Sequence, residues 1–407
     1  MIERIFAKAM RLENTNYDIR GKLLDRANEL RQSGIQITPL NIGNMEPFGL
    51  LPPGEMISYL INNIRETFGY TDSKGMPEAR LAVLQYYQER KVKNLSIENI
   101  FHGNGVSDLI GKVCEALINP GDEILVGIPD YPLWTAKIIA FGGKAVHFVC
   151  DEQSDWLPDI KDIKNKITDK TVGIVIIPFN NPTGAVYPRE ILQEIIQIAR
   201  DNQLAIFSDE IYDKIIYDGH QSISIASLAD DVLFITLNGL SKVYRLPGWR
   251  SGWAVFSGKT RIAQGFLQGM KELCDQSLGP NAPGQIVVPS ALGGYQSIFD
   301  LTKIGGRLYK QREAGYQILT SIPGITCVKP KSALYFFPKI DVKKFSITND
   351  EKFLLDLLED KKILLTAGKG FNWPQPDHFR IVFLPHEEDL VASLQQIGEF
   401  LSTYKQQ

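Results

Sequence analysis

The 407-residue sequence has few of the residues that build metal centres or disulfide frameworks. Its four cysteines, Cys114, Cys150, Cys274 and Cys327, are far apart and include no CxxC pair, which predicts reduced thiols. Its five histidines do not cluster along the chain, which argues against a zinc site. We therefore expect neither a bound metal nor a disulfide.

Long apolar runs and a strong excess of either charge are also missing. Runs such as Gly173–Phe179 are far shorter than the roughly 20 residues that span a bilayer. The first residues carry Glu3, Arg4 and Lys8 without an apolar stretch, so they do not resemble a secretory signal. The 44 Lys and Arg against 47 Asp and Glu leave a net charge of −3, unsuited to charge-driven nucleic-acid binding. We expect a cytoplasmic globular enzyme without nucleic-acid or membrane partners.

Short apolar segments alternate with helical patterns, which predicts an α/β fold with a mostly parallel sheet covered by helices. The clearest helical pattern is Pro188–Arg200, where apolar residues recur at helical spacing behind a first-turn proline. We predict a large domain over residues 50–289 and a smaller α+β domain made of 1–49 with 290–407. The predicted strands are Glu123–Ile128, Ala145–Val149, Val172–Ile177, Ala205–Ser208, Val232–Leu237 and Gly252–Phe256.

Polar or aromatic residues follow several of these strands, at the sheet edge where α/β proteins bind ligands. Asn181 lies in an Asn-Pro-Thr-Gly turn, and Asp209 ends an apolar strand, where it either caps a helix or faces a cationic ligand. Lys242 follows a buried strand and is either a surface lysine or a nucleophile with a lowered pKa. Arg250 could bind a phosphate bidentately, and Tyr131 is either a core residue or a stacking surface.

A glycine turn, Gly103-Asn104-Gly105, precedes a further helical pattern. Glycines at the start of a helix let backbone N–H groups approach a phosphate. Glycine turns are common, so this motif indicates a phosphate site only in combination with the other motifs.

In their order along the chain, these motifs resemble the class I and II aminotransferases, fold-type I enzymes that depend on pyridoxal 5′-phosphate. The resemblance runs from Asn41 to Arg380 and includes Asn-Pro-Thr-Gly, Asp-x-x-Tyr, and Ser-Lys followed by Gly-x-Arg. It implies a homodimeric alanine transaminase of amino-acid biosynthesis that exchanges amino groups between L-alanine and 2-oxoglutarate by a ping-pong mechanism. Similarity to the bacterial alanine (glutamate–pyruvate) aminotransferases extends to residues 17–21, 41–49, 103–107, 130–134 and 371–374.

The resemblance also implies roles for individual residues. Lys242 would bind the cofactor as a Schiff base and move a proton, while Asp209 would keep the pyridinium nitrogen protonated. Asn181 and Tyr212 would hydrogen-bond the phenolic oxygen of the cofactor, and Tyr131 would stack on its ring. The phosphate would be held by Gly105, Val106, Ser107, Ser241, Arg250 and, from the neighbouring subunit, Tyr70.

Substrate binding is implied near both ends of the chain. Arg380 would hold the substrate α-carboxylate as a bidentate fork, next to Asn181, while the Gly43 backbone closes over the substrate. We predict that Arg20, with Tyr17, binds the distal carboxylate of glutamate; the alternative is a surface or helix-capping arginine.

Two segments depart from the family pattern and leave the amino-acid preference open. Ile177-Pro178-Phe179 stands where relatives more often have Asn-Pro, and Ser332 replaces the usual glycine in a loop near the substrate. One alternative is an aminotransferase for another small or branched aliphatic amino acid, and another is a carbon–sulfur lyase with the same cofactor. A ligand-sensing regulator on this scaffold would need a basic DNA-binding domain, for which we expect no room before Asn41.

Overall fold

The computed structural model describes residues 6–13, 15 and 21–407. Its helices are α1 (Lys22–Gln32), α2 (Gly54–Asn63), α3 (Pro77–Glu89), α4 (Val106–Leu117), α5 (Leu133–Ala140), α6 (Ile160–Lys166), α7 (Arg189–Asn202), α8 (Gln264–Gln276), α9 (Ala282–Ile286), α10 (Val288–Gly293), α11 (Ile298–Thr302), α12 (Arg307–Ser321), α13 (Asp350–Lys361) and α14 (Glu387–Thr403). Its strands are β1 (Thr38–Pro39), β2 (Ile100–Gly103), β3 (Glu123–Ile128), β4 (Lys144–Asp151), β5 (Leu157–Pro158), β6 (Thr171–Ile176), β7 (Ala205–Asp209), β8 (Leu233–Gly239), β9 (Gly252–Gly258), β10 (Ile325–Thr326), β11 (Tyr335–Phe336), β12 (Lys339–Ile340), β13 (Ile363–Leu364), β14 (Thr366–Ala367) and β15 (Phe379–Val382).

Eight strands form the central sheet, in the order β2-β9-β8-β7-β6-β3-β4-β5. The strands from β8 through β4 run parallel, whereas β9 is antiparallel to both of its neighbours and β5 is antiparallel to β4. Successive residues of β7, Ile206 and Phe207, pack into two different apolar clusters. Because successive strand residues point to opposite faces, both faces of the sheet are covered. The predicted α/β fold with a mostly parallel sheet is confirmed.

The individual strand predictions are also confirmed. All six predicted strands are present, as β3, β4 and β6 to β9, and their ends differ from the prediction by at most two residues. Helix α7 begins one residue after Pro188, which is its N-cap. Apolar periodicity was sufficient here because these strands are buried on both faces, which leaves an apolar run bounded by turns.

The segment before residue 50 joins the C-terminal part of the chain through short strands. Strand β1 pairs in parallel with β13, and the carbonyl of Leu40 accepts a hydrogen bond from the backbone N–H of Val382 at 2.9 Å. Strand β15 lies between β11 and β14 in a three-stranded sheet. This pairing supports the grouping of 1–49 with 290–407, which stays a prediction. Among the described residues, no helix is both long and apolar enough to cross a membrane.

Candidate active site

The carboxyl ends of four parallel strands, β3, β6, β7 and β8, open into a cavity of about 650 Å³. Tyr131 comes from the loop after β3, Asn181 from the loop after β6, Asp209 from the end of β7, and Lys242 from the loop after β8. Ligands of α/β sheets bind at this edge, because the loops that follow parallel strands converge there.

Most of the predicted site residues line this one cavity, although they are far apart in the sequence. Those that line it are Gly43, Val106, Ser107, Tyr131, Asn181, Asp209, Tyr212, Ser241, Lys242, Arg250 and Arg380. Gly105 lies next to them as the residue that precedes α4. Tyr70 lies outside the cavity lining and is 88% exposed. Tyr17 and Arg20 fall outside the described residues.

Lys242 reaches across the cavity towards the N-terminal segment. Its Nζ donates a hydrogen bond to the carbonyl of Gly43 at 2.7 Å and lies 6.0 Å from the centroid of the Tyr212 ring. The side chain is partly buried and lines the cavity, which favours a reactive amine over a surface lysine; the role of Lys242 stays a prediction. This position allows the amine to reach a ligand bound between Gly43 and Tyr212.

Asp209 places a buried carboxyl group at the floor of the cavity. Only 3% of the residue is exposed, and burial raises the pKa of its carboxyl to about 6 against the opposing hydrogen bonds. Those bonds are long: the Ile211 backbone N–H donates at 3.3 Å and the Trp134 Nε1 donates at 3.4 Å. The segment after β7 forms a turn, so the helix-cap interpretation of Asp209 is wrong. A buried carboxylate is costly unless it is paired, so this carboxyl suits a cationic ligand atom.

The N-terminus of helix α4 faces the same cavity. Gly105 precedes this helix with a φ of 83°, a left-handed conformation that favours glycine. The first N–H groups of an α-helix have no partner within the helix, so those of Val106 and Ser107 can bind an anion. Beside them, the Arg250 guanidinium donates to the carbonyl of Asn104 at 3.2 Å. Backbone donors and a cation at one end of the cavity suit a phosphate group.

A second cation, Arg380 of β15, also lines the cavity and is held in a fixed orientation. Its Nη1 donates to the Oδ1 of Asn181 at 2.8 Å, and its Nη2 donates to the carbonyl of Asn41. Its Cζ lies 4.4 Å from the ring centroid of Tyr335 and 4.6 Å from that of Phe371. Stacking on aromatic rings sets the plane of the guanidinium, whose fork geometry matches a carboxylate.

Tyr335 is a buried cavity residue that no motif had marked as functional. Its hydroxyl forms a 2.6 Å hydrogen bond with the hydroxyl of Tyr212. Burial raises the pKa of Tyr335, but the charges of Lys242 and Arg380 and the bond to Tyr212 outweigh it, so this pKa lies below its usual value. For Tyr212, burial raises the pKa well above its usual value. In the sequence, the one sign that Tyr335 belongs to the site is its place in the loop near the substrate where Ser332 replaces the usual glycine.

Both departures from the family pattern are accommodated by local packing. The buried Ser332 hydroxyl hydrogen-bonds the carbonyls of Gly184 and Ala185, at 3.1 and 3.0 Å. It therefore fastens the loop of Tyr335 to the Asn-Pro-Thr-Gly turn. Phe179 is buried and forms an isolated antiparallel bridge with Val186, which joins the two ends of the same turn.

The chain is similar to known proteins over nearly its whole length. The family model described as aminotransferase class I and II matches residues 35–394. The glutamate-pyruvate aminotransferase AlaA of Escherichia coli is 52% identical over 399 residues, which cover 98% of each chain. The alanine aminotransferase of Mycobacterium bovis is 45% identical over 405 residues, 99% of this chain and 94% of the relative. A crystal structure of an aminotransferase from Escherichia coli matches with a TM-score of 0.98 at 51% identity, covering 99% of this chain and 100% of that chain.

Proposed function

The chain belongs to the class I and II aminotransferases, and we propose that it exchanges amino groups between L-alanine and 2-oxoglutarate, yielding pyruvate and L-glutamate. Nearly full-length similarity to proteins named glutamate-pyruvate aminotransferase and alanine aminotransferase supports this choice of substrates. The observation that carries the proposal is the convergence of Lys242, Asp209 and Arg380 on one cavity.

Pyridoxal 5′-phosphate fits the donor set of the cavity. The buried carboxyl of Asp209 suits a cationic ring nitrogen, the N-terminus of α4 with Arg250 suits a phosphate, and the Lys242 amine suits an aldehyde. Tyr131, which also lines the cavity, offers a ring for stacking. When bound, the group supplies an electron sink that stabilises negative charge at the substrate Cα.

The residues of the chain bind the substrate and move its proton. Arg380 binds the α-carboxylate of each substrate, and its bond to Asn181 keeps the fork in place. The Nζ of Lys242 moves the proton at the substrate Cα, first as general base and then as general acid. Tyr212 and Asn181 donate to the phenolic oxygen of the cofactor. Because the two substrates occupy the same cavity in turn, we expect ping-pong kinetics.

Glutamate and 2-oxoglutarate carry a second carboxylate, which needs a further cation. We assign this role to Arg20, assisted by Tyr17, both outside the described residues. Arg20→Ala should raise the KM for L-glutamate and leave the KM for L-alanine unchanged. Arg31→Ala, at the exposed end of α1, serves as the matched control. An unchanged glutamate KM would remove Arg20 from the site.

We also propose a cytoplasmic homodimer in which Tyr70 contributes to the phosphate site of the other subunit. Tyr70 is 88% exposed and Phe68 is 79% exposed, and a second copy would cover such a surface. The test is to mix Tyr70→Ala and Lys242→Ala chains, each of which we expect to lose activity on its own. Hybrid dimers regain one complete site if Tyr70 acts across the interface, and regain none if it acts within its own chain.

The substrate assignment is tested with a panel of amino donors against pyruvate and 2-oxoglutarate. We expect L-alanine and L-glutamate to give the highest kcat/KM. We also expect L-alanine, added without an oxo acid, to change the visible absorption of the holoenzyme. A higher kcat/KM for a branched-chain amino donor would show that L-alanine is not the preferred substrate. Ammonia release from cystathionine without an oxo acid would indicate a lyase instead.

A further inference from the structure

Tyr335 connects Arg380, which binds the substrate carboxylate, with Tyr212, which binds the cofactor. It lies in β11, where it pairs with Val382 of β15, the strand that carries Arg380. Its ring lies under the guanidinium of Arg380, and its hydroxyl bonds that of Tyr212. One side chain therefore contacts both the carboxylate-binding cation and the tyrosine that faces the cofactor.

The Tyr335 hydroxyl also lies close to the proton-transfer centre. A Cβ atom built on Gly43 would collide with this hydroxyl, at 3.1 Å from the Tyr335 Cζ and 3.3 Å from the Nζ of Lys242. Gly43, Lys242 and Tyr335 thus meet at one point of the cavity wall. The Tyr212 and Tyr335 rings meet edge to face at 82°, with centroids 5.9 Å apart, and their hydroxyl groups are in hydrogen-bond contact.

We propose that Tyr335 is a positioning residue, whose hydroxyl donates to the phenolic oxygen of Tyr212 and so strengthens the bond that Tyr212 donates to the phenolic oxygen of the cofactor. The proposal rests on the proposed function, because it requires the cofactor in this cavity. It adds a residue to the site that acts through Tyr212.

The direction of the hydrogen bond follows from the surroundings of the two hydroxyl groups. Each hydroxyl has a single proton, so if Tyr212 donates to the cofactor, the bond between the tyrosines must be donated by Tyr335. In the cofactor-free protein, the positive charges of Lys242 and Arg380 make Tyr335 the more acidic phenol of the pair, against the effect of burial. Arg380 keeps its charge, and its place over the Tyr335 ring, when Lys242 is bound to the cofactor. Successive hydrogen bonds polarise one another, so the bond from Tyr335 increases the donor strength of Tyr212.

The experiment follows the visible absorption of the holoenzyme as a function of pH. Tyr335→Phe removes the hydroxyl and keeps the ring under Arg380. We expect the apparent pKa of the absorption change to rise by about 0.5 to 1 unit, since one hydrogen bond that favours the unprotonated chromophore is weakened. We expect kcat/KM for L-alanine to fall by about 2- to 10-fold.

A double-mutant cycle separates this indirect role from a general structural one. In the Tyr212→Phe background, Tyr335→Phe should leave the absorption pKa unchanged, because the hydroxyl through which it acts is gone. Tyr187→Phe is the matched control, since Tyr187 is buried outside the cavity with its hydroxyl 3.6 Å from the Sγ of Cys150. It should move neither quantity.

Two results would contradict the role of Tyr335, and a third would contradict the proposed function as well. An unchanged absorption pKa in Tyr335→Phe, or a shift that persists in the Tyr212→Phe background, would overturn the role of Tyr335 alone. A wild-type protein without visible absorption after incubation with pyridoxal 5′-phosphate would overturn the proposed function and this inference with it. A preference for another amino donor would change the substrate assignment only, because the absorption of the holoenzyme is measured without a substrate.

Discussion

The Cζ atom of Arg380 lies 4.4 Å from the centroid of the Tyr335 ring. Because Phe371 covers the guanidinium at 4.6 Å and Asn181 accepts from its Nη1, the fork keeps one orientation before any substrate binds. A carboxylate therefore meets a preorganised partner, which reduces the entropic cost of binding.

Arg380→Lys keeps the positive charge but replaces a planar fork by a point charge. We expect the KM for L-alanine to rise by about 10- to 100-fold, because one charge-assisted hydrogen bond and the stacking contacts are lost. Steady-state kinetics of the holoenzyme measures the change. Arg200→Lys, which alters an exposed pair with Asp231, is the control and should have no effect. An unchanged KM would show that the α-carboxylate binds elsewhere.

Asp209→Asn should change the pH dependence of stability of the cofactor-free protein. Burial raises the pKa of Asp209 from 3.8 to about 6, so the folded protein binds more protons than the unfolded chain between these values. Stability should therefore fall as the pH rises from about 4 to 6, and the loss should persist above pH 6. The variant should lack this loss and, at pH 7, be more stable by up to about 3 kcal/mol.

Urea unfolding of both cofactor-free proteins at pH 4 and pH 7 measures this difference. Added pyridoxal 5′-phosphate should stabilise the wild-type protein more than the variant, because the bound group pairs with the carboxylate. If the stability of the two proteins changed equally between pH 4 and pH 7, the pH dependence would not come from the Asp209 carboxyl.

Gly43→Ala should impair catalysis by crowding the cavity. The added methyl group would press on the Tyr335 hydroxyl and lie 3.3 Å from the Nζ of Lys242. We expect kcat to fall by about 10-fold or more, since small displacements of reacting groups are costly. Adding Tyr335→Phe should restore part of the activity by removing the hydroxyl. Gly265→Ala, in α8 with open space at its Cβ position, is the control.

His378 is predicted to make stability depend on pH above its unfolded pKa of about 6.5. It is buried and stacked on Phe337, with Nδ1 2.7 Å from an oxygen of Asp377 and Nε2 3.6 Å from Glu152, a carboxylate that Lys339 also contacts. Burial lowers the pKa of His378, but the two carboxylates outweigh it, so this pKa is raised. Its stabilising contribution is complete below the unfolded value of about 6.5 and is lost as the pH rises through the folded value.

Urea unfolding at several pH values from 6 to 9 tests this titration. His378→Gln should remove most of the fall in stability across the range, whereas the exposed His386→Gln should keep it. The same slope in His378→Gln as in the wild-type protein would contradict the prediction.

Much of the fold and of the candidate site was predictable from local sequence. The central strands appear as apolar runs because both faces of the sheet are covered, and turn residues mark their carboxyl ends. Lys242, Asp209 and Asn181 could be identified because polar residues directly after buried strands are uncommon without a ligand or a cap. Their order along the chain then matched a family.

Other features depended on contacts between distant segments. Asp209 could equally have capped a helix until the structure showed a turn after β7. Tyr335 looks like a core aromatic in the sequence, and its role appears only where β11 pairs with β15 and brings it to Tyr212 and Arg380. The replacement at Ser332 is explained by bonds to a turn almost 150 residues earlier, with an Oγ-to-carbonyl distance of 3.1 Å at Gly184.

The amino-acid sequence by itself determined the strands, the helices and the reactive groups at the sheet edge, because periodicity and turn chemistry act over a few residues. The tertiary structure decided which of these groups share one cavity, how deeply Asp209 is buried, and how Arg380 is oriented. Burial, charge–charge distances and ring stacking depend on residues brought together from the whole chain, and it is these that set the pKa values and the geometry of the site.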